Sequence, residues 1–357
     1  MKKQLQHERE IIRRLAEKVA EFSKEKENDR IIQRWKDVNA LRKPDRVPVA
    51  PLICHYYHTG SAGISNKEAG YNTRKAAEML KQATIRHNWD AAVDLGSVRP
   101  YLPLQILGMK QMKWPGGDLP DDQPFQWVEG EYMTQDEYDE MLNDPNGFAV
   151  RKLWPRISTT LASVSGMIQS DPPPLLFLSN AYTLPELIGE IVSAPPMVEL
   201  LEKMLALAKA HQEIRSVKVN YILEMMNLGF PMTIGSVTFP PFDWISDVLR
   251  SLRGSSLDMF RCPEKLLAAV DMFTPLTIGV STMLARQTGI NGVFIPMHRG
   301  ADGFMSDKQF ARFYWPGLKA LFLGVIDAGL TPILSRAAAW ILPASMEKSW
   351  HQQWKRQ

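Results

Sequence analysis

Three groups of side chains in this chain have the types and spacing to do chemistry. His298 and Arg299 follow directly on the apolar triplet Val293-Phe294-Ile295, and Asp302 lies in the same loop between Gly300 and Gly303. An imidazole with an ordinary pKa of about 6.5 suits proton donation, and a guanidinium forks onto carboxylates. His55 and His58 stand three residues apart beside Cys54. Two imidazoles at that spacing serve as acid–base groups, as metal ligands or as structural hydrogen-bond partners. Cys54 is a weak third ligand, because neighbours on an extended strand point to opposite faces. Asp94 lies beside Gly96, with Arg99 and Tyr101 just after it. The reading assigns catalysis to His298, Asp94, His55 and His58, and substrate contact to Arg299, Asp302, Tyr101 and Arg99. It assigns no metal and no cofactor. Each group has a plainer alternative. His298 and Arg299 could brace the loop with Asp302. Asp94 could cap a turn near Ser97. Asp243, after Pro240-Pro241-Phe242, reads as a helix N-cap before it reads as an acid.

The elements that must position these groups alternate between strand and helix. Apolar runs at Val47–Cys54, Ala91–Leu95, Leu175–Leu178, Thr233–Val237, Val293–Ile295 and Thr331–Leu334 read as short buried strands. Between them, helical spacing covers Asn28–Leu41, Tyr71–Asn88, Pro196–Met226, Pro263–Gln287 and Asp307–Ala328. Ser306 with Gln309, and Thr134 with Glu137, have the spacing of capping boxes. Residues 109–133, punctuated by Trp114-Pro115-Gly116-Gly117 and Asp121-Asp122, read as an inserted hairpin or flap. Residues 2–27 read as an amphipathic helix that packs on the rest of the chain or forms a dimer arm. Strand–helix alternation argues for parallel βα units, in which functional groups collect where strand C-termini meet loops.

Composition narrows the class. The 357 residues are 45% hydrophobic and 23% charged, as in ordinary globular enzymes. The net charge of +3 is too small to imply nucleic-acid binding. With two cysteines far apart, neither a disulfide framework nor a four-cysteine zinc site can be built, and a cytoplasmic setting is the simplest. The N-terminus lacks the pattern of a secretory signal, and a membrane span is not expected. The 18 methionines point to adaptable packing. Neither a Gly-x-Gly-x-x-Gly turn nor a phosphate loop is present, so nucleotide binding is not indicated.

Several stretches together resemble the uroporphyrinogen decarboxylase superfamily. They are Arg34-Trp35 through Asp45-Arg46-Val47-Pro48-Val49, Gln135-Asp136-Glu137-Tyr138-Asp139 with Asp144-Pro145, Pro241-Phe242-Asp243 through Leu252-Arg253-Gly254, Cys262-Pro263-Glu264-Lys265, and His298–Trp315. The resemblance covers residues 30–334. It implies a (β/α)8 TIM-barrel-like fold with its site at the C-terminal mouth, a homodimer, and one of two chemistries. One branch decarboxylates a tetrapyrrole, with arginines after the first strand and an aspartate after the next; Asp94 lies near that position. The other moves methyl groups between a corrinoid protein and a thiol, with zinc held by a His-x-Cys pair and a later Cys. This chain has Cys54-His55-Tyr56-Tyr57-His58 and no arginine at the first place, and His298-Arg299-Gly300 at the zinc pair.

The resulting expectation has a helical extension over 1–44, a barrel domain over 45–334 and a divergent tail over 335–357. The tail shows no resemblance, so the barrel is expected to be incomplete at its C-terminus, through divergence or a shift of reading frame. The first functional expectation is a decarboxylase-like lyase acting on a tetrapyrrole or related substrate without a cofactor. The alternatives are a zinc- and corrinoid-dependent methyltransferase with a corrinoid-protein partner, and a non-catalytic remnant.

Overall fold

The computed structural model describes residues 10, 13, 17, 30–51, 55–162, 180–300 and 303–335. The expectations for most of residues 2–27, for Leu175–Leu178, for Asp302 and for the tail after Ser335 lie outside the described residues. The chain forms two compact units. One comprises Met1–Arg46, Met133–Tyr138 and Met232–Gln357; the other comprises Val47–Tyr132 and Asp139–Pro231.

The first unit is built on parallel strands. β3 (Ser236–Val237), β4 (Gly292–Pro296) and β5 (Thr331–Ser335) lie side by side in that order. Ser236 faces Val293, and Val293 faces Pro332. β4 is the middle strand, and its Val293 and Ile295 are fully buried. Phe294, on the opposite face, is half-buried, so the strand reads as a continuous apolar run and not as an alternation of apolar and polar residues. Both connections are helical. β3 leads through Pro241–Arg261 and the helix Pro263–Thr288 into β4, and β4 leads through Asp307–Asp327 into β5. Pro263–Thr288 is long and apolar enough to cross a membrane by length and composition. Its contacts with β3, β4 and the helix Trp315–Asp327 are those of a crossover helix in a parallel sheet. At the loop after β4, Ser306 closes its capping box: its hydroxyl accepts from the Gln309 N–H and its own N–H donates to Gln309 Oε1. The helix Arg30–Asn39 is tied to Asp45 by a two-pronged pair, Arg34 Nε to Oδ1 at 2.7 Å and Nη2 to Oδ2 at 2.6 Å. The Arg34 bond holds the Asp45 carboxyl well below its usual range.

The second unit is mainly helical. Thr73–His87 packs along Pro195–Asn227, burying Ala76, Leu80 and Ala83 on one side and Tyr221, Ile222 and Met225 on the other. Asn72 caps the first helix and Asn88, at φ 48°, ends it in the left-handed region that Asn tolerates. The expected hairpin is present: β1 (Met112–Lys113) and β2 (Gln126–Trp127) pair antiparallel. Two expected strands are corrected. Val47–Pro51 forms no strand, and Val47 and Val49 are exposed. Pro48 and Pro51 lack the N–H groups a ladder needs. Ala91–Leu95 is buried as expected but also makes no ladder; the Ala92 N–H donates to the Pro231 carbonyl at 3.0 Å.

Candidate functional site

The first unit gathers polar groups at the C-terminal end of β4. The strand ends at Pro296 and delivers the His298 and Arg299 backbone to the start of the helical run that follows β3. Two aspartates on that run, Asp243 and Asp247, meet them. The His298 N–H donates to Asp243 Oδ2 at 2.7 Å, and the Arg299 N–H donates to Oδ1 at 3.0 Å. The Tyr314 hydroxyl also donates to Oδ2, at 2.8 Å. The Asp243 side chain is completely buried. Burial pushes its pKa up to about 7, against the three donors that favour the carboxylate.

Asp247 takes the side chains. His298 Nδ1 lies 2.5 Å from Asp247 Oδ2, and Arg299 Nη2 donates to Oδ1 at 2.9 Å. Arg299 Nε donates to Ser246 Oγ at 2.9 Å, and the guanidinium lies over the Phe304 ring at 5.7 Å. The His298 ring is 44% exposed, while Asp247 is 17% exposed, so the imidazole presents its other edge to solvent. Its ring centroid is 5.1 Å from that of Phe239. The hydrogen bond to Asp247 raises the His298 pKa above its ordinary value, outweighing burial. The contact therefore favours the protonated imidazole, its charge facing the Asp247 carboxylate. Gly300 matters sterically, because a Cβ there would lie 2.8 Å from the Tyr314 ring.

Asp94, Arg99, Tyr101, His55 and His58 belong to the second unit. Asp94 stands at the cap position just before the 3₁₀ turn Leu95–Ser97, its backbone carbonyl accepting from the Ser97 N–H at 2.9 Å, and its side chain does not cap the turn. Its carboxylate lies 3.7 Å from Lys218 Nζ. Arg99 stacks over Phe125 at 5.7 Å. Tyr101, expected at the substrate, is fully buried in a core cluster with Met112 and Trp114, edge-on to Tyr71. His55 and His58 fall on the helix His55–Ala62, not in the loop past a strand end that their sequence context suggested.

Two corrections concern the aspartates. Asp243 is not the N-cap of its helix: Pro240 occupies that position and Asp243 lies inside Pro241–Trp244. Asp247 was missed altogether, although the four-residue spacing from Asp243 just after β3 was a usable signal, since such residues share a helix face. Among the described residues, no three His, Cys, Asp or Glu side chains are grouped to hold a metal ion.

No protein-family model matches the chain, and no curated protein matches it. Among solved structures it is similar to a methyltransferase from Methanosarcina mazei, with a TM-score of 0.47 and 12% identity over 84% of this chain and 68% of that one.

Proposed function

We propose that this chain is an enzyme in which His298 donates a proton to the leaving group of a methyl donor, on a parallel β/α scaffold that forms part of a TIM-barrel-like domain. The observation that carries the reading is the charge arrangement around His298. Arg299 is committed to Asp247 and Ser246, and Asp243 and Asp247 place two carboxylates against the same loop. A tetrapyrrole carrying several carboxylates needs cations to receive it, and here the arginine already has a carboxylate partner. A neutral methyl ether or a methylated amine meets no such repulsion.

The step balances simply. The bond between the methyl carbon and its heteroatom breaks, and its electron pair stays on the heteroatom. The His298 proton goes to that atom. A nucleophile supplies the pair for the new bond to carbon, and a reduced cobalt corrinoid carried by a partner protein is the acceptor class we propose.

The test is to supply purified protein with aryl methyl ethers and methylamines together with cob(I)alamin, and to follow methylcobalamin by its absorbance. Methyl transfer is expected, with His298→Gln slowing it by about 10²–10⁴-fold, the usual contribution of a general acid. Loss of carboxylates from uroporphyrinogen with no methylation of the corrinoid overturns the proposal.

A further inference from the structure

We propose that Asp243 is a positioning residue: its carboxylate clamps the consecutive amides of His298 and Arg299, and so sets the His298 imidazole against Asp247. The imidazole can meet Asp247 only if the chain leaves β4 in one direction, and the amides of His298 and Arg299 fix that direction. Both point at one side chain, at 2.7 and 3.0 Å, on separate oxygens. Only a carboxylate can accept both amides and the Tyr314 hydroxyl without presenting a donor of its own. An asparagine would turn its NH₂ toward at least one of those donors.

The position is costly for a structural convenience. A fully buried carboxyl loses its hydration, and burial raises its pKa despite three hydrogen bonds. A polar serine or threonine would satisfy one amide at far lower cost. What the carboxylate adds is simultaneous capture of two adjacent N–H groups, which leaves the His298 backbone little rotational freedom. Asp243 and Asp247, four residues apart, thus divide the work: the buried one holds the backbone of the loop and the partly exposed one holds its side chains.

The catalytic meaning of this placement rests on the proton-donor reading of His298; the placement itself does not. The experiment therefore reads the imidazole directly. In protein labelled with ¹⁵N-histidine, with His298→Gln used to assign the signal, the wild-type His298 midpoint is expected above the ordinary value. Asp243→Asn removes a charge that itself raises the His298 pKa, so its midpoint falls on either account; the clamp is read by the signal, which is expected to broaden or split as the ring loses one orientation. Tyr314→Phe removes the third donor but leaves both amides clamped, and is expected to leave the His298 midpoint in place. A His298 signal that stays single and sharp in folded Asp243→Asn protein overturns the proposal, as does equal broadening in Tyr314→Phe. If Asp243→Asn does not fold, wild-type hydrogen exchange decides. The His298 and Arg299 amides are expected to exchange at least tenfold more slowly than unprotected loop amides, and exchange at the unprotected rate overturns the proposal. Absence of methyl transfer with the clamp intact would count against the proposed reaction alone.

Discussion

Removing the Asp258 carboxylate should bring the first unit close to unfolding. Asp258 is completely buried, and its partner Arg250 is 3% exposed at the side chain. Arg250 Nε donates to Asp258 Oδ2 at 2.6 Å and Nη2 to Oδ1 at 3.0 Å, and Nη1 reaches the Met133 carbonyl. The Tyr138 hydroxyl donates to the same Oδ2 at 2.9 Å. Asp258→Ala therefore leaves a buried guanidinium without its carboxylate and the Tyr138 hydroxyl without this acceptor. Breaking a buried pair from one side costs about 3–5 kcal/mol, and a stranded hydroxyl about 1–3 kcal/mol more. The two losses overlap, so roughly 4–6 kcal/mol is expected, against a typical total stability of about 5–15 kcal/mol. Arg250→Met combined with Asp258→Leu removes both charges and should recover most of that loss. Urea unfolding followed by circular dichroism measures all three proteins, and equal m-values confirm that one transition is being compared. A loss under about 1 kcal/mol for Asp258→Ala, or a double variant no more stable than the single one, refutes the reasoning.

Two further outcomes follow from the site and its supports. Because Asp247 raises the His298 pKa, the stability from their contact is fully present below the unfolded imidazole value and is lost as pH rises through the higher folded value. Asp247→Asn should move that loss, and the alkaline fall of any His298-dependent activity, to lower pH; a pH–rate profile whose basic limb stays in place contradicts this. Ser306→Ala should cost about 1 kcal/mol by removing one limb of the capping box, read as a lower melting temperature with the His298 titration unchanged.

Much of the scaffold was legible because its signals are local. The Ser306 box, the proline at the start of Pro263–Thr288 and the asparagines flanking Thr73–His87 act within one helical turn. The apolar run of β4 also reads correctly, since a middle strand with one face buried and the other half-buried needs no polar alternation. Val47–Pro51 misled because an apolar run reports burial potential and not the N–H groups that its prolines remove. Ala91–Leu95 misled differently: it is buried, but hydrogen-bond partners come from segments that composition does not reveal. At the site, His298 and Arg299 stood out by their chemistry and their place after a strand. Asp247 did not, because its bond to His298 spans 51 residues. Asp243 was read by the usual behaviour of an aspartate after prolines, and its amide partners lie on another βα unit.

The charge balance of this loop favours a substrate that takes a proton away over one that brings charge in. With the imidazole protonated, His298 and Arg299 supply two cations; both side chains meet Asp247, while burial raises the Asp243 pKa to about 7 and so weakens its negative charge near neutral pH. Delivering the proton lowers the charge of the loop by one. That change works against any product that stays anionic nearby and eases the departure of a neutral alcohol or amine. A polycarboxylate substrate would add its own charges to the same carboxylates before reaction and be opposed throughout. The partial exposure of His298 fits this cycle, since a ring open to solvent can recover its proton between turnovers. Its bond to Asp247 meanwhile biases it toward the protonated state each time. A site made for carboxylates would need the reverse arrangement, with Arg299 free of Asp247 and turned toward the ligand.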